Sequence, residues 1–229
     1  MSLRQYSSII TMLALLLINS SPARALESAP STEVWNFRVL LDDDPIGYHK
    51  FEINRQQNTI DVHSSAQFDV TFLYIPVYSY QHDAQEQWRD GCLVNINAST
   101  DDNGDMFAVS SKQQANNLLV TTQDSSATLE GCVRSFAYWD IGLLSSSKLL
   151  NVQTGEYEAV ELTDLGDARL KLDDQEVAAR HYRLIAKDAK IDLWYTPEKH
   201  WLALESTTSS GAVLRYLPQP GQNKPGAKL

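Results

Sequence analysis

Long apolar runs are almost missing from this sequence of 229 residues. After residue 18, no stretch approaches the roughly 18 apolar residues that a membrane-spanning helix requires, which excludes a transporter or channel built of helices. Basic residues are scarce as well. The chain carries 19 Lys and Arg against 29 Asp and Glu, a formal net charge of −10, and its cations form no cluster. Such a surface repels nucleic acid and anionic headgroups, so no polynucleotide partner is expected. No G-x-S-x-G elbow, P-loop or G-x-G-x-x-G loop occurs, which removes the most readable hydrolase and nucleotide-binding signatures. The five histidines, His49, His63, His82, His181 and His200, never fall three or four apart with a third ligand nearby, and neither a metal nor a cofactor is expected. Asp101, Asp102, Asn103 and Asp105 crowd Gly104, yet Ser110 stands where a calcium loop needs its glutamate, so these residues read as a turn. Helical periodicity is confined to residues 139–150, and there it is short.

The one apolar run covers residues 9–18, broken only by Thr11, after a polar start with Arg4 and before the small-residue exit Ala23-Arg24-Ala25. This is the layout of a secretory signal peptide over residues 1–25, cleaved after Ala25. Ten helical residues rise about 15 Å, half of a roughly 30 Å hydrocarbon layer, so a permanent anchor is disfavoured. The first cysteine is Cys92, too far away to carry a lipid at the cleavage point. The expected product is a soluble periplasmic or secreted protein with no transmembrane segment. Losing Arg4 and Arg24 with no acid makes it two charges more acidic. The two cysteines, Cys92 and Cys132, are an even pair bound for an oxidising compartment and are expected to form a disulfide.

Residues 26–32 read as a disordered lead-in and residues 218–229 as a disordered tail, leaving one domain at 33–217. That domain alternates apolar and polar residues in short runs separated by Gly, Asp, Asn, Ser and Pro. Residues 34–41 and 48–53 form a hairpin across Asp42-Asp43-Asp44-Pro45-Ile46-Gly47. Residues 59–75 form a long irregular strand, which Pro76 ends in a bend or an edge because it has no N–H to donate. Residues 81–88 are polar enough for either a strand or an exposed turn. Residues 92–98 and 106–109 pair across Asn103-Gly104, and further strands are expected at 118–122, 156–162, 177–185, 191–195, 201–205 and 213–217. The fold class is all-β, mainly antiparallel, forming a curved sheet, half-barrel or barrel with at most one short helix near residues 139–150.

The most informative side chains are aromatic. Tyr74, Tyr78 and Tyr80 gather around Pro76, and in a curved sheet such residues either fill the core or line a pocket. Phe72, Tyr74, Tyr78, Tyr80, Trp139 and Trp194 are the candidate ligand-binding residues. No catalytic residue is assigned.

Several segments resemble an uncharacterised bacterial group of exported domains of unknown function. They are Val34-Trp35-Asn36-Phe37-Arg38-Val39-Leu40-Leu41 with Pro45-Ile46-Gly47, Thr100-Asp101-Asp102-Asn103-Gly104, Tyr138-Trp139-Asp140, and Leu149-Leu150-Asn151-Val152-Gln153-Thr154-Gly155. Asp192-Leu193-Trp194-Tyr195, Trp201-Leu202-Ala203-Leu204-Glu205 and Leu214-Arg215-Tyr216 continue the resemblance. It implies export and a β fold and brings no activity. The leading expectation is an exported, non-enzymatic protein that binds or carries an apolar molecule or lipid in a concave β-sheet. One alternative is an enzyme whose site assembles from Asp69, His63, His82, Glu86 and Arg89. Another is an envelope assembly or interaction module that uses a free sheet edge.

Overall fold

The structure, a computed structural model, describes residues 30–187, 189–208 and 211–220. The expected signal peptide lies outside the described residues. Strand β1 (Ser31–Leu41) begins two residues inside the expected lead-in and places Trp35, Phe37 and Val39 on one buried face, with Asn36 and Arg38 on the other. It turns back into β2 (Asp44–Arg55), and the chain continues as a meander through β3 (Thr59–Phe72), β4 (Ile75–Arg89), β5 (Cys92–Asp102), β6 (Asp105–Gln114), β7 (Asn117–Thr122) and β8 (Ser126–Glu130). A second meander follows: β11 (Glu161–Leu172), β12 (Gln175–Ile185), β13 (Lys190–Tyr195), β14 (Trp201–Thr207) and β15 (Val213–Pro218). Between them β9 (Lys148–Leu150) and β10 (Tyr157–Ala159) make a separate small hairpin.

The two meanders join where β15 pairs antiparallel with β1, which places Pro218 opposite Phe37. The result is a 13-stranded sheet in the order β11-β12-β13-β14-β15-β1-β2-β3-β4-β5-β6-β7-β8. Its two ends, β11 and β8, do not pair among the described residues, so the ladder is an open curved sheet. One short 3-10 turn (Ile141–Ser145) is the helical content within the expected 139–150 segment, capped by Asp140, whose Oδ1 accepts from the Gly142 N–H at 3.0 Å.

The inner faces of β1 to β7 and of β12 to β14 share a single core with residues 133–160, which requires the sheet to curl around that segment. Trp35, Trp88, Trp139 and Trp201 are all buried there. The three of these that lie on strands each have a partner for the N–H: Glu33 Oε2 for Trp35 at 3.2 Å, Glu86 Oε2 for Trp88 at 2.8 Å, and the Ala203 carbonyl for Trp201 at 2.8 Å. The inner segment is tied down at its start. Cys92 and Cys132 form a disulfide. Leu93 N–H donates to the Val133 carbonyl at 2.9 Å, and Arg134 Nε donates to the Gly91 carbonyl at 2.9 Å while its Nη1 reaches the Gly142 carbonyl and Ser145 Oγ. Gly47 is required by a close approach: a Cβ there would lie 1.8 Å from the Gln67 carbonyl oxygen on β3.

Three expectations need adjustment. The polar run 81–88 is fully strand, because its inward positions are His82, Ala84, Glu86 and Trp88, all buried, while Gln81, Asp83 and Gln85 face out. Residues 126–130 and 163–172 are strands that their sequence pattern does not announce. Pro218 and Gln219 extend β15 along β1, the latter donating its N–H to the Asn36 carbonyl at 3.0 Å.

Candidate ligand pocket on the concave face

Period-two alternation in β2, β3 and β4 sends four polar side chains, His49, Ser64, His82 and Glu86, into the interior where aliphatic residues would otherwise pack. His49 and Phe51 come from β2, Val62 and Ser64 from β3, and His82 and Glu86 from β4. Opposite them, residues 136–139 and 151–153 of the inner segment and the β12–β13 turn close a cavity of about 230 Å³. Its apolar walls are Phe51, Val62, Phe136, Tyr138, Trp139 and Ile191.

The polar groups form two chains. On one, His49 Nε2 and Ser64 Oγ lie 2.7 Å apart, and the imidazole stacks on Phe51 with ring centres 4.1 Å apart. The other nitrogen, His49 Nδ1, is buried and has no partner. On the second chain, Tyr80 donates its hydroxyl to Gln153 Oε1 at 3.1 Å, Gln153 Nε2 donates to Asp102 Oδ2 at 3.2 Å, and Tyr78 donates its hydroxyl to Asp102 Oδ1 at 2.8 Å. His82 Nδ1 meets Thr100 Oγ1 at 2.8 Å.

Burial sets the protonation states. Desolvation, with the neighbouring His82 adding to it, lowers the His49 pKa to about 3, and this holds although part of the ring surface is reachable from the cavity. Desolvation also lowers His82 to about 4, against the opposing pull of Asp83. Both imidazoles are therefore neutral at neutral pH. Glu86 moves the other way: desolvation raises it to about 7, against the stabilising hydrogen bonds from Trp88 and Ser135. Burial likewise raises the phenols of Tyr80, Tyr138 and Tyr216, which stay protonated as donors.

Of the six candidate ligand-binding residues, Tyr80 and Trp139 line this cavity. Tyr78 is two hydrogen bonds removed, reaching Gln153 through Asp102. Tyr74 is fully exposed at the β3–β4 turn, and Phe72 belongs to the end of β3. Trp194 lies on the outer face, stacked on His181 at 4.6 Å between ring centres. Of the residues weighed for an enzyme site, His82 and Glu86 share the cavity, four residues apart on one strand and thus about 13 Å apart along it. His63 pairs with Asp83 at 2.7 Å on the outside. His49 and Ser64 carry the most reactive geometry here, and the sequence hints at them only through the inward register they share with Phe51 and Val62.

The His49–Ser64 contact has the reach of a base and a nucleophile. It lacks the rest: no group orients Nδ1, and an imidazole of pKa about 3 is a poor proton acceptor at neutral pH. Among the described residues, no three of His, Cys, Asp and Glu stand together as a metal site. No described helix is long and apolar enough to cross a membrane.

A larger groove of about 890 Å³ runs beside β11 and β12, and most of its charged side chains are engaged in ion pairs. Arg180 bonds Asp164 and Asp167, and Arg169 meets Glu176.

A family profile described as Domain of unknown function (DUF6134) matches residues 37–219. In shape the chain is similar to a crystal structure described as a β-barrel-like protein of domain of unknown function DUF1849 from Brucella abortus. The TM-score is 0.61 at 9% sequence identity, covering 82% of this chain and 96% of that one. No functionally curated protein matches the chain.

Proposed function

We propose, for a chain that belongs to the DUF6134 family, a function that this family's description leaves open: it is an exported, periplasmic or secreted carrier that holds a small, largely apolar molecule in the concave cavity. The observation that carries the reading is the unpartnered, buried Nδ1 of His49 in a cavity with aromatic walls. A buried polar atom without a partner costs about 1–3 kcal/mol, and a ligand with one hydrogen-bonding end relieves that cost. With His49 neutral, either tautomer serves: Nδ1 accepts from a ligand hydroxyl or amide, or donates to a carbonyl. The volume, below the roughly 300–1,000 Å³ of drug-sized pockets, fits a small amphipathic molecule or one end of a lipid. The acidic exterior and the paired cysteines accord with export.

Native mass spectrometry of the protein purified from its own host tests this. A co-purifying apolar molecule is expected, together with uptake of a small apolar dye that Ala137→Trp abolishes by filling the cavity. A protein that carries no such molecule and takes up no dye is not a carrier. The rival reading, acyl transfer by Ser64 with His49, predicts instead that ester hydrolysis disappears in Ser64→Ala.

A further inference from the structure

The β3–β4 hairpin outruns both of its neighbours. The last rung to β2 is Gly47–Phe68, and the last contacts along β5 are the Tyr80–Asp102 rung and the Asn103 N–H to the Ser79 carbonyl at 2.8 Å, so residues 69–78 stand out from the sheet as a two-stranded ribbon. Its turn, Leu73-Tyr74, takes positive φ at both residues, 48° and 67°. The apolar side chains at this end have no cover: Leu73 is 75% exposed, Tyr74 101%, Ile75 64% and Val77 52%. Tyr48 and Met106, also exposed, flank the root of the ribbon. No Asp, Glu, Lys or Arg occurs between Asp69 and Asp83.

We infer that this tip is a lipid-docking device that inserts into the surface of a zwitterionic phospholipid bilayer. A projecting tip presents only a few hundred Å² of apolar surface. That falls short of the roughly 800 Å² per partner that a stable protein interface buries, whereas shallow insertion into lipid has no such minimum. The uncharged stretch means that nothing ionic is desolvated on insertion. Tyr74 at the tip supplies a ring with a polar end, the side-chain type that settles at the headgroup level. Above the tip, Asp69, Asp101, Asp102 and Asp105 make an acidic collar. Carboxylates there repel anionic phosphate headgroups and attract the outermost ammonium of choline or ethanolamine lipids. The device is separate from the cavity, so tip and cavity can fail independently.

Flotation of the processed chain, residues 26–229, with phosphatidylcholine vesicles and with phosphatidylglycerol vesicles at low salt tests the inference. Association with phosphatidylcholine, at least fivefold weaker on phosphatidylglycerol, is expected. Leu73→Ser combined with Tyr74→Ser and Ile75→Ser should weaken it at least tenfold while the urea midpoint and dye uptake by the cavity stay unchanged. A Tyr74→Cys variant labelled with an environment-sensitive dye should shift its emission to the blue on phosphatidylcholine vesicles, since both native cysteines are already paired. Absence of vesicle association, equal association by the triple variant, preference for the anionic vesicle, or an unshifted dye would each overturn the inference. So would a dimer in sedimentation that the triple variant dissolves, since a second copy would then be what covers the tip.

Discussion

Two hairpins overhang this sheet, and the protein treats them in opposite ways. The distal part of β11–β12 runs past β13, whose last rung to it is Arg180–Tyr195. It then lies against the outer face, where Leu170, Leu172 and Val177 pack with Leu202, Ala203 and Leu217, and Arg38 of β1 pins Asp173 at its turn. The β3–β4 overhang has a comparable length and more apolar residues, yet no described residue covers its tip. Overhang alone therefore does not leave apolar side chains in water here. Charge separates the two: Arg169, Lys171, Asp173 and Glu176 dress the covered ribbon, and the bare one has no charge beyond Asp69 at its root. A docked ribbon keeps polar side chains for its outer surface, whereas an inserting ribbon dispenses with them.

The comparison can be tested from its foundation outward. Both ribbons hang from a body whose inner segment is tied by Cys92–Cys132, so replacing both cysteines by serine should cost about 3–4 kcal/mol in urea unfolding, the entropy of a loop of about 40 residues. A body that unfolds at the wild-type midpoint would show that the ribbons' scaffold does not depend on this tie.

A change of pH acts on the body, in opposite senses at different groups, without touching either ribbon. The Glu86 carboxyl has a folded pKa near 7, above its ordinary 4.5, so its contribution is fully present below pH 4.5 and is lost as the pH rises through 7. The loss is on the order of 2 kcal/mol, and Glu86→Gln should flatten it. His49 and His82 act in the opposite sense: their depressed pKa values favour the fold above about pH 6.5, and that support disappears as the pH falls toward 4 and 3. Urea midpoints taken across pH 4 to 8 for both proteins separate these effects.

The ribbons themselves come next. Leu172→Ser should destabilise by about 1 kcal/mol through lost packing on the outer face. Leu73→Ser, in water already, should change stability by less than about 0.5 kcal/mol. Equal effects from the two substitutions would erase the distinction between a covered and an open ribbon.

Much of the fold was legible because alternation survives wherever one face is buried: the β1–β2 hairpin and the Asn103-Gly104 turn follow from local residues, while the disulfide was expected from the even pair of cysteines. Strand β4 was harder, since its inward His82 and Glu86 make both faces polar and erase the contrast that marks a strand. In β13 the reverse occurs. Ile191, Leu193 and Tyr195 face the core while Trp194, on the outward face with Asp192, is covered from outside by the β11–β12 ribbon, so an aromatic in this strand does not mark the inward face. The cluster Tyr74, Tyr78 and Tyr80 around Pro76 correctly marks a bend, but whether an aromatic at a bend lines a cavity or meets water depends on where neighbouring strands stop. The ends of β2 and β5 decide that, and they lie 20 to 30 residues away in sequence. The cavity's own His49 and Ser64 stay hidden for a related reason: they sit on adjacent strands, and only their register, His49 opposite Ala66 and Phe51 opposite Ser64, sets them side by side.

The rung of Phe37 against Pro218 has a consequence for how the molecule comes to exist. The chain's first strand finds one of its two partners only in its last, so the two meanders remain separate pieces until the final segment emerges. Contacts of such long sequence separation form late and slowly. Until then β1 and β14 are open edges able to pair with other chains, so a chain that stops short of Val213 would expose sticky edges that β15 otherwise closes.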